Sequence, residues 1–275
     1  PIKASAASDV YKRQLHDPDD AFSGLEKSRE IVDSYEEFAG KDIHITEYNT
    51  SYIPNAPVHD TCYNAAYVAH MLSRLGDCHT SYSYWTFGDV FEELGVPFTP
   101  FHGGFGLVAN GCIPKPTFWT FAFYKKLEES EANCVYKDDN IVVLKRANGD
   151  YLGVAWNIAR KSTEQGKEKM LLEFTFPAEQ EEYCFLTKTV DEETCNPLKV
   201  WHDMGEPANL SEEQTKLIRE SSRPFVKTER KKQEDGNICV ELPVNENGVV
   251  YFELNAGKVN PDRGYDYDRV VSLKA

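Results

Sequence analysis

The hydrophobic period of this chain changes once, near residue 128, and that change confines it to a two-part architecture. Before it, helical and strand patterns alternate. Residues 23–38 (SGLEKSREIVDSYEEF) place Leu25, Ile31, Val32 and Tyr35 at helical spacing behind Ser23, an N-cap with Glu26 three residues on. Gly40 stops that helix. Residues 42–48 (DIHITEY) then alternate Ile43, Ile45 and Glu47 against His44, Thr46 and Tyr48, which predicts a strand whose last inward position is a carboxylate. A second helix is predicted over 60–75 with Asp60 as its N-cap and Gly76 at its end, a second strand over 81–87, and a third helix over 117–127. This helix and strand rhythm belongs to an α/β barrel or a doubly wound sheet.

Beyond residue 128 the period becomes two. Residues 141–145 and 151–157 flank Asn148-Gly149, a short-range hairpin signal, and 170–176 and 183–190 alternate in the same way. Residues 238–244 are expected to pair with 249–254 across Asn247-Gly248. One helix, 211–222, interrupts the strands and opens on the capping pair Ser211 and Gln214. The basic run Lys227 to Lys232 reads as a solvated strand face. The pattern is that of a β-sandwich with half-exposed sheets. Residues 15–130 are therefore assigned to an α/β part and 131–275 to an all-β part, while residues 1–14, including SAASDVYKRQ, read as a non-native leader.

Charge removes several function classes. Forty-five acidic against thirty basic residues leave a net charge of −15, which repels phosphate backbones and anionic lipid, so neither nucleic acid nor a membrane surface is an expected partner. Leu94 to Pro114 is 21 residues long without Asp, Glu, Lys or Arg, yet three prolines and five glycines break it and rule it out as a spanning helix. Seven cysteines, at 62, 78, 112, 134, 184, 195 and 239, form no C-x-x-C pair and leave one over from full pairing. They read as free thiols of a reducing compartment, and with no apolar leader visible the expected location is cytoplasmic. Seven scattered histidines show no metal-ligand spacing, so neither a metal nor a cofactor is expected. His102-Gly-Gly-Phe-Gly106 is superficially like an esterase oxyanion loop, but no G-x-S-x-G elbow accompanies it, and a close-packed loop is the expectation.

A closed (β/α)8 barrel needs about 250 residues, and residues 15–127 supply only two strands. A resemblance accounts for the shortfall. His44-Ile-Thr-Glu-Tyr-Asn-Thr-Ser-Tyr52, Pro57-Val-His-Asp-Thr61, Ser83-Tyr-Trp-Thr-Phe87, Asp89-Val-Phe-Glu-Glu93, Phe101-His-Gly-Gly-Phe-Gly-Leu107 and Ile113-Pro-Lys-Pro-Thr-Phe118 closely resemble the β-xylosidases of glycoside hydrolase family 39. The likeness resumes at Gly153-Val-Ala-Trp-Asn157, Asn196-Pro-Leu-Lys-Val-Trp201 and Val226-Lys-Thr-Glu-Arg230, and covers roughly residues 24–256. It implies the C-terminal part of a TIM barrel, holding the last two strands and last helix, followed by the β-sandwich.

The resemblance also implies roles. Glu47 falls on the family's catalytic nucleophile, the carboxylate that attacks the anomeric carbon in a retaining glycosidase. Trp85 resembles a subsite aromatic, Glu92 and Glu93 fall where carboxylates accept hydrogen bonds from sugar hydroxyls, and Asn49 is placed to orient the nucleophile or the sugar, or to make an Asx turn. The family's general acid/base belongs to an Asn-Glu-Pro motif, which is absent from this sequence, and Gly205-Glu206-Pro207 in the sandwich part does not take its role. The expected protein is a retaining β-xylosidase acting on xylobiose or short xylo-oligosaccharides, here without its acid/base and inactive alone. Its implied partners are the oligosaccharide and an N-terminal barrel half, and homo-oligomerisation is left open. Two alternatives stand beside it: an α-L-iduronidase-like glycosidase and a non-catalytic carbohydrate-binding or assembly module. The loop from Trp85 to Glu93 offers acids and no Lys or Arg, which favours neutral xylose over anionic iduronate.

Overall fold

The structure is a computed structural model that describes residues 17–90, 95, 97, 99–159 and 169–257. The leader assigned to residues 1–14 lies outside the described residues, as do Glu92 and Glu93. The first part runs α1 (Asp20–Asp33), β1 (His44–Tyr48), a 3₁₀ turn (Pro57–Asp60), α2 (Cys62–Ser73), β2 (Ser81–Tyr84), the short antiparallel pair β3 (Val108–Ala109) and β4 (Ile113–Pro114), and α3 (Pro116–Glu128). β1 and β2 pair in parallel, with His44 opposite Ser81, Ile45 opposite Tyr82 and Tyr48 opposite Tyr84. Among the described residues these are the only two strands paired in parallel, an isolated parallel bridge between Gly88 and Val108 apart, and they close no barrel.

Two helix starts differ from the sequence expectation. α1 begins before Ser23, because Asp20 and Phe22 already bond back to Asp17 and Asp19, and the early turn buries Phe22. α2 is capped by Thr61, whose hydroxyl accepts from Asn64 N, rather than by Asp60. Asp60 is withheld from capping because its carboxylate is buried elsewhere.

The second part holds β5 (Asn133–Lys137), β6 (Ile141–Lys145), β7 (Tyr151–Asn157), β8 (Met170–Pro177), β9 (Glu182–Val190), α4 (Pro197–Asp203), α5 (Glu212–Ser221), β10 (Phe225–Lys232), β11 (Asn237–Val244) and β12 (Gly248–Ala256). Among the described residues two helices, not one, interrupt the strands; α4 is too short to show a period. The Ser211 and Gln214 capping box opens α5. Six antiparallel strands form one sheet in the order β10-β9-β12-β7-β6-β5, and β11 and β8 form a second.

The hairpin expected between 238–244 and 249–254 does not form. β11 pairs with β8 and β12 pairs with β7 and β9, so the turn at Asn245 to Gly248 carries the chain from one sheet to the other. Both segments alternate, but their apolar faces meet across the sandwich instead of lying side by side. Ile238, Val240, Leu242 and Val244 pack against Val250, Phe252 and Leu254 in one core.

The central strands of the large sheet are not half-exposed, although its edge strands β5 and β10 are open to solvent. Leu152, Val154, Trp156 and Tyr251 point to its other face, where Ala65, Ala66 and Ala69 of α2 and Phe123 and Leu127 of α3 cover them. Burial on both faces explains why β7 is apolar nearly throughout. Trp156 Nε1 donates to His70 Nδ1, and His70 Nε2 in turn meets Asp19 Oδ1 at 2.7 Å, which ties α1 and α2 to the sheet. Gly153 of β7 is required by packing, since a Cβ there would lie 2.5 Å from Phe252 Cζ. Gly153→Ala is expected to cost about 1–3 kcal/mol through overpacking, read as a lowered urea midpoint at unchanged m-value.

Candidate active site

Glu47 sits at the C-terminal end of β1, inside the irregular stretch between Ile45 and Tyr48 where three steps on β1 match two on β2. A bulge re-aims side chains, and here it breaks the alternation predicted for 42–48: Thr46 and Glu47 are both exposed. Tyr48 turns the other way. Its ring meets Tyr82 and Tyr84 edge-on at 5.7 and 5.6 Å, and burial pushes its phenol pKa far above the ordinary value. The strand end thus presents a solvent-facing carboxylate anchored by a buried neighbouring ring.

Trp85 follows β2 directly and is half-buried. Its N–H donates to Tyr48 O at 3.0 Å, which sets it beside the strand end that carries Glu47. Asn49 links the two. Its amide donates to Trp85 O at 2.5 Å and to Phe105 O at 3.3 Å, while its Oδ1 accepts from Thr50 N at 2.7 Å. Both amide donors are thus directed at main-chain carbonyls beside Glu47. The structure therefore gathers Glu47, Asn49 and Trp85 at one edge of the parallel pair. Two surface hollows of about 90 and 480 Å³ on the sandwich include none of the three.

Beneath this edge lies a charged cluster that the sequence reading did not single out. Lys115 is fully buried, and its ammonium meets Asp60 Oδ1 at 2.6 Å, Asp89 Oδ2 at 2.8 Å and Gly104 O at 2.9 Å. Asp60 Oδ2 accepts from Gly103 N at 2.6 Å, and Asp89 Oδ1 from Gly106 N at 2.7 Å. Burial raises the Asp89 carboxyl pKa, while Lys115 pulls it back. His59 is also buried, with its ring nitrogens 2.8 Å from Gly103 O and 3.1 Å from Ser51 O. Burial lowers its pKa, against the pull of the two carbonyl contacts, which favour the charged ring.

The His102 to Gly106 loop is close-packed because its glycines lie against these groups. A Cβ on Gly103 would meet Ala56 C at 2.5 Å, and one on Gly104 would meet Asp89 Cγ at 2.5 Å. The available sequence signal was Lys115 itself, which ends the uncharged stretch 94–114 between two prolines.

A carboxylate at the end of a parallel strand, flanked by an aromatic ring and a tightly held loop and backed by a sandwich, fits the glycosidases, and comparison with known proteins agrees. The model of the glycosyl hydrolases family 39 matches residues 5–239, and the chain belongs to that family. It is 38% identical to a β-xylosidase of Geobacillus stearothermophilus over 241 residues, 88% of this chain and 46% of that protein. It is 30% identical to a β-xylosidase of Caldicellulosiruptor saccharolyticus over 84% of this chain and 48% of that protein. Among solved structures, a monomeric β-xylosidase from Caulobacter crescentus CB15 superposes with a TM-score of 0.76 at 26% identity, over 88% of this chain and 50% of that one. The chain spans about half the length of the curated relatives it matches.

Among the described residues no group of three or more His, Cys, Asp or Glu could hold a metal ion, and no helix is long and apolar enough to cross a membrane. All seven cysteines are free thiols.

Proposed function

We propose that this chain supplies the nucleophile-bearing part of a retaining β-xylosidase, residues 15–130 contributing the last two strands and last helix of a (β/α)8 barrel and residues 131–275 a β-sandwich that supports them. The observation that carries the reading is the position of Glu47, exposed at the C-terminal end of one of two parallel strands, the end at which barrel enzymes hold their chemistry. Family membership and the β-xylosidase relatives support the substrate class.

In this reading Glu47 attacks the anomeric carbon of a terminal xylosyl unit and forms a covalent glycosyl ester as the leaving oxygen departs; water then hydrolyses the ester with net retention. Trp85 offers its ring to the apolar face of the sugar, and Glu92 and Glu93 accept hydrogen bonds from its hydroxyls. A second carboxylate, about 5 to 5.5 Å from Glu47, must protonate the leaving oxygen and later activate the water. No Asn-Glu-Pro occurs in these 275 residues, so that group comes from an N-terminal barrel half.

The test is xylobiose hydrolysis by the 275-residue chain, alone and combined with the N-terminal half of a family 39 β-xylosidase. The chain alone is expected to release no detectable xylose, since the missing proton donor by itself forfeits about 10²- to 10⁴-fold. The combination is expected to restore turnover. Robust hydrolysis by the chain alone would place the second carboxylate within it and overturn the division of labour.

A further inference from the structure

The buried Lys115 holds the active-site edge at two points. Its side chain donates to Gly104 O at 2.9 Å and its own backbone N–H donates to Leu107 O at 2.9 Å, so the segment carrying Phe105 is pinned on both sides. Phe105 O in turn accepts from Asn49 Nδ2 and, at 3.0 Å, from Thr86 N, while Leu107 N donates back to Thr86 O at 3.0 Å. Phe105 O therefore joins the residue two past Glu47 to the residue after Trp85. Asp60 and Asp89 complete the clamp, each accepting from a loop N–H while pairing with the ammonium.

We propose that Lys115, neutralised between Asp60 and Asp89, is a positioning residue that sets the strand ends carrying Glu47 and Trp85 through the 103–107 loop. The functional meaning of this role rests on the reading of Glu47 as nucleophile, but the geometry it asserts does not. A loop held by packing alone would need no buried ammonium paired with two carboxylates. An ammonium suits the position because it delivers three short, separately directed hydrogen bonds from one atom to two carboxylates and a carbonyl. In the low dielectric beneath the surface, those contacts fix the loop more firmly than a solvated one could.

The test uses the chain as it stands and reads geometry rather than turnover. Labelling with 5-fluorotryptophan gives four ¹⁹F resonances, from Trp85, Trp119, Trp156 and Trp201, assigned by single Trp→Phe replacements. Trp156, buried between α2 and the sheet, reports whether the fold is intact. In Lys115→Met, and in the milder Asp89→Asn, which keeps one acceptor oxygen, the Trp85 signal is expected to move by more than its linewidth while the Trp156 signal stays in place. An unmoved Trp85 signal in a variant with a native Trp156 signal would overturn the proposal. Loss of the native Trp156 signal in both variants would also overturn it, because the cluster would then hold the whole fold rather than this edge. Glu47→Ala turnover tests the nucleophile reading separately, so failure of either can be told from failure of the other.

Discussion

In the barrel-completed enzyme, Glu47→Ala is expected to lower turnover of an aryl xyloside by about 10⁴-fold or more, the scale on which loss of a covalent nucleophile is felt. The structure gives the reason that little else should substitute. Glu47 is solvent-facing within an irregular strand end, whereas the neighbouring side chains are committed: Tyr48 is packed among rings and Asn49 has spent its donors on Trp85 O and Phe105 O. With the carboxylate removed, added azide should enter the vacated space and displace the aryl group from the opposite face, giving a xylosyl azide of inverted anomeric configuration. Undiminished hydrolysis in Glu47→Ala, measured by release of the phenol, would sink the assignment.

The largest expected effect on stability comes from Lys115→Met, at about 3–5 kcal/mol in chemical denaturation, because the change leaves Asp60 and Asp89 buried without their cation. A surface pair such as Lys125 with Glu128 should cost well under 1 kcal/mol when broken. The loss should depend on pH in a definite direction. The Asp89 pKa is already raised by burial and would rise further without Lys115. A carboxyl whose folded pKa exceeds its unfolded value of about 4 favours the folded state below the unfolded pKa and loses that advantage as pH climbs through the folded one. The deficit of Lys115→Met should therefore be largest near neutrality and shrink as pH falls toward 4. A deficit independent of pH between 4 and 7 would show that lost packing, not unpaired charge, dominates.

Local signals were legible where they were self-sufficient. The Ser211 and Gln214 box, the Asn148-Gly149 hairpin and the existence of a strand at 44–48 each follow from residues close in the chain, although the bulge that turns Glu47 outward does not. The misread features depended on distant partners. Asp60 looked like an N-cap because Asp commonly caps helices, yet a buried ammonium 55 positions along the chain binds its carboxylate and Thr61 takes the cap. Residues 238–244 and 249–254 looked like a hairpin because alternation and Asn-Gly are local, whereas the choice between pairing in one sheet and facing across two is made by β7, β8 and β9. The short α4 carries too few turns for a period to emerge.

The sequence by itself determined the two-part division of periodicity, most of the elements, the family motifs and the candidacy of Glu47, because side-chain chemistry and short-range spacing carry that information. Only the tertiary structure decided which strands share a sheet, that α2 and α3 bury the second face of the large sheet, and that Lys115, Asp60 and Asp89 meet beneath the 103–107 loop. The physical reason is that burying an apolar face or a charge is settled by what lies opposite in space. For Asp60 and Lys115, as for β11 and β12, no pattern along the chain names that partner.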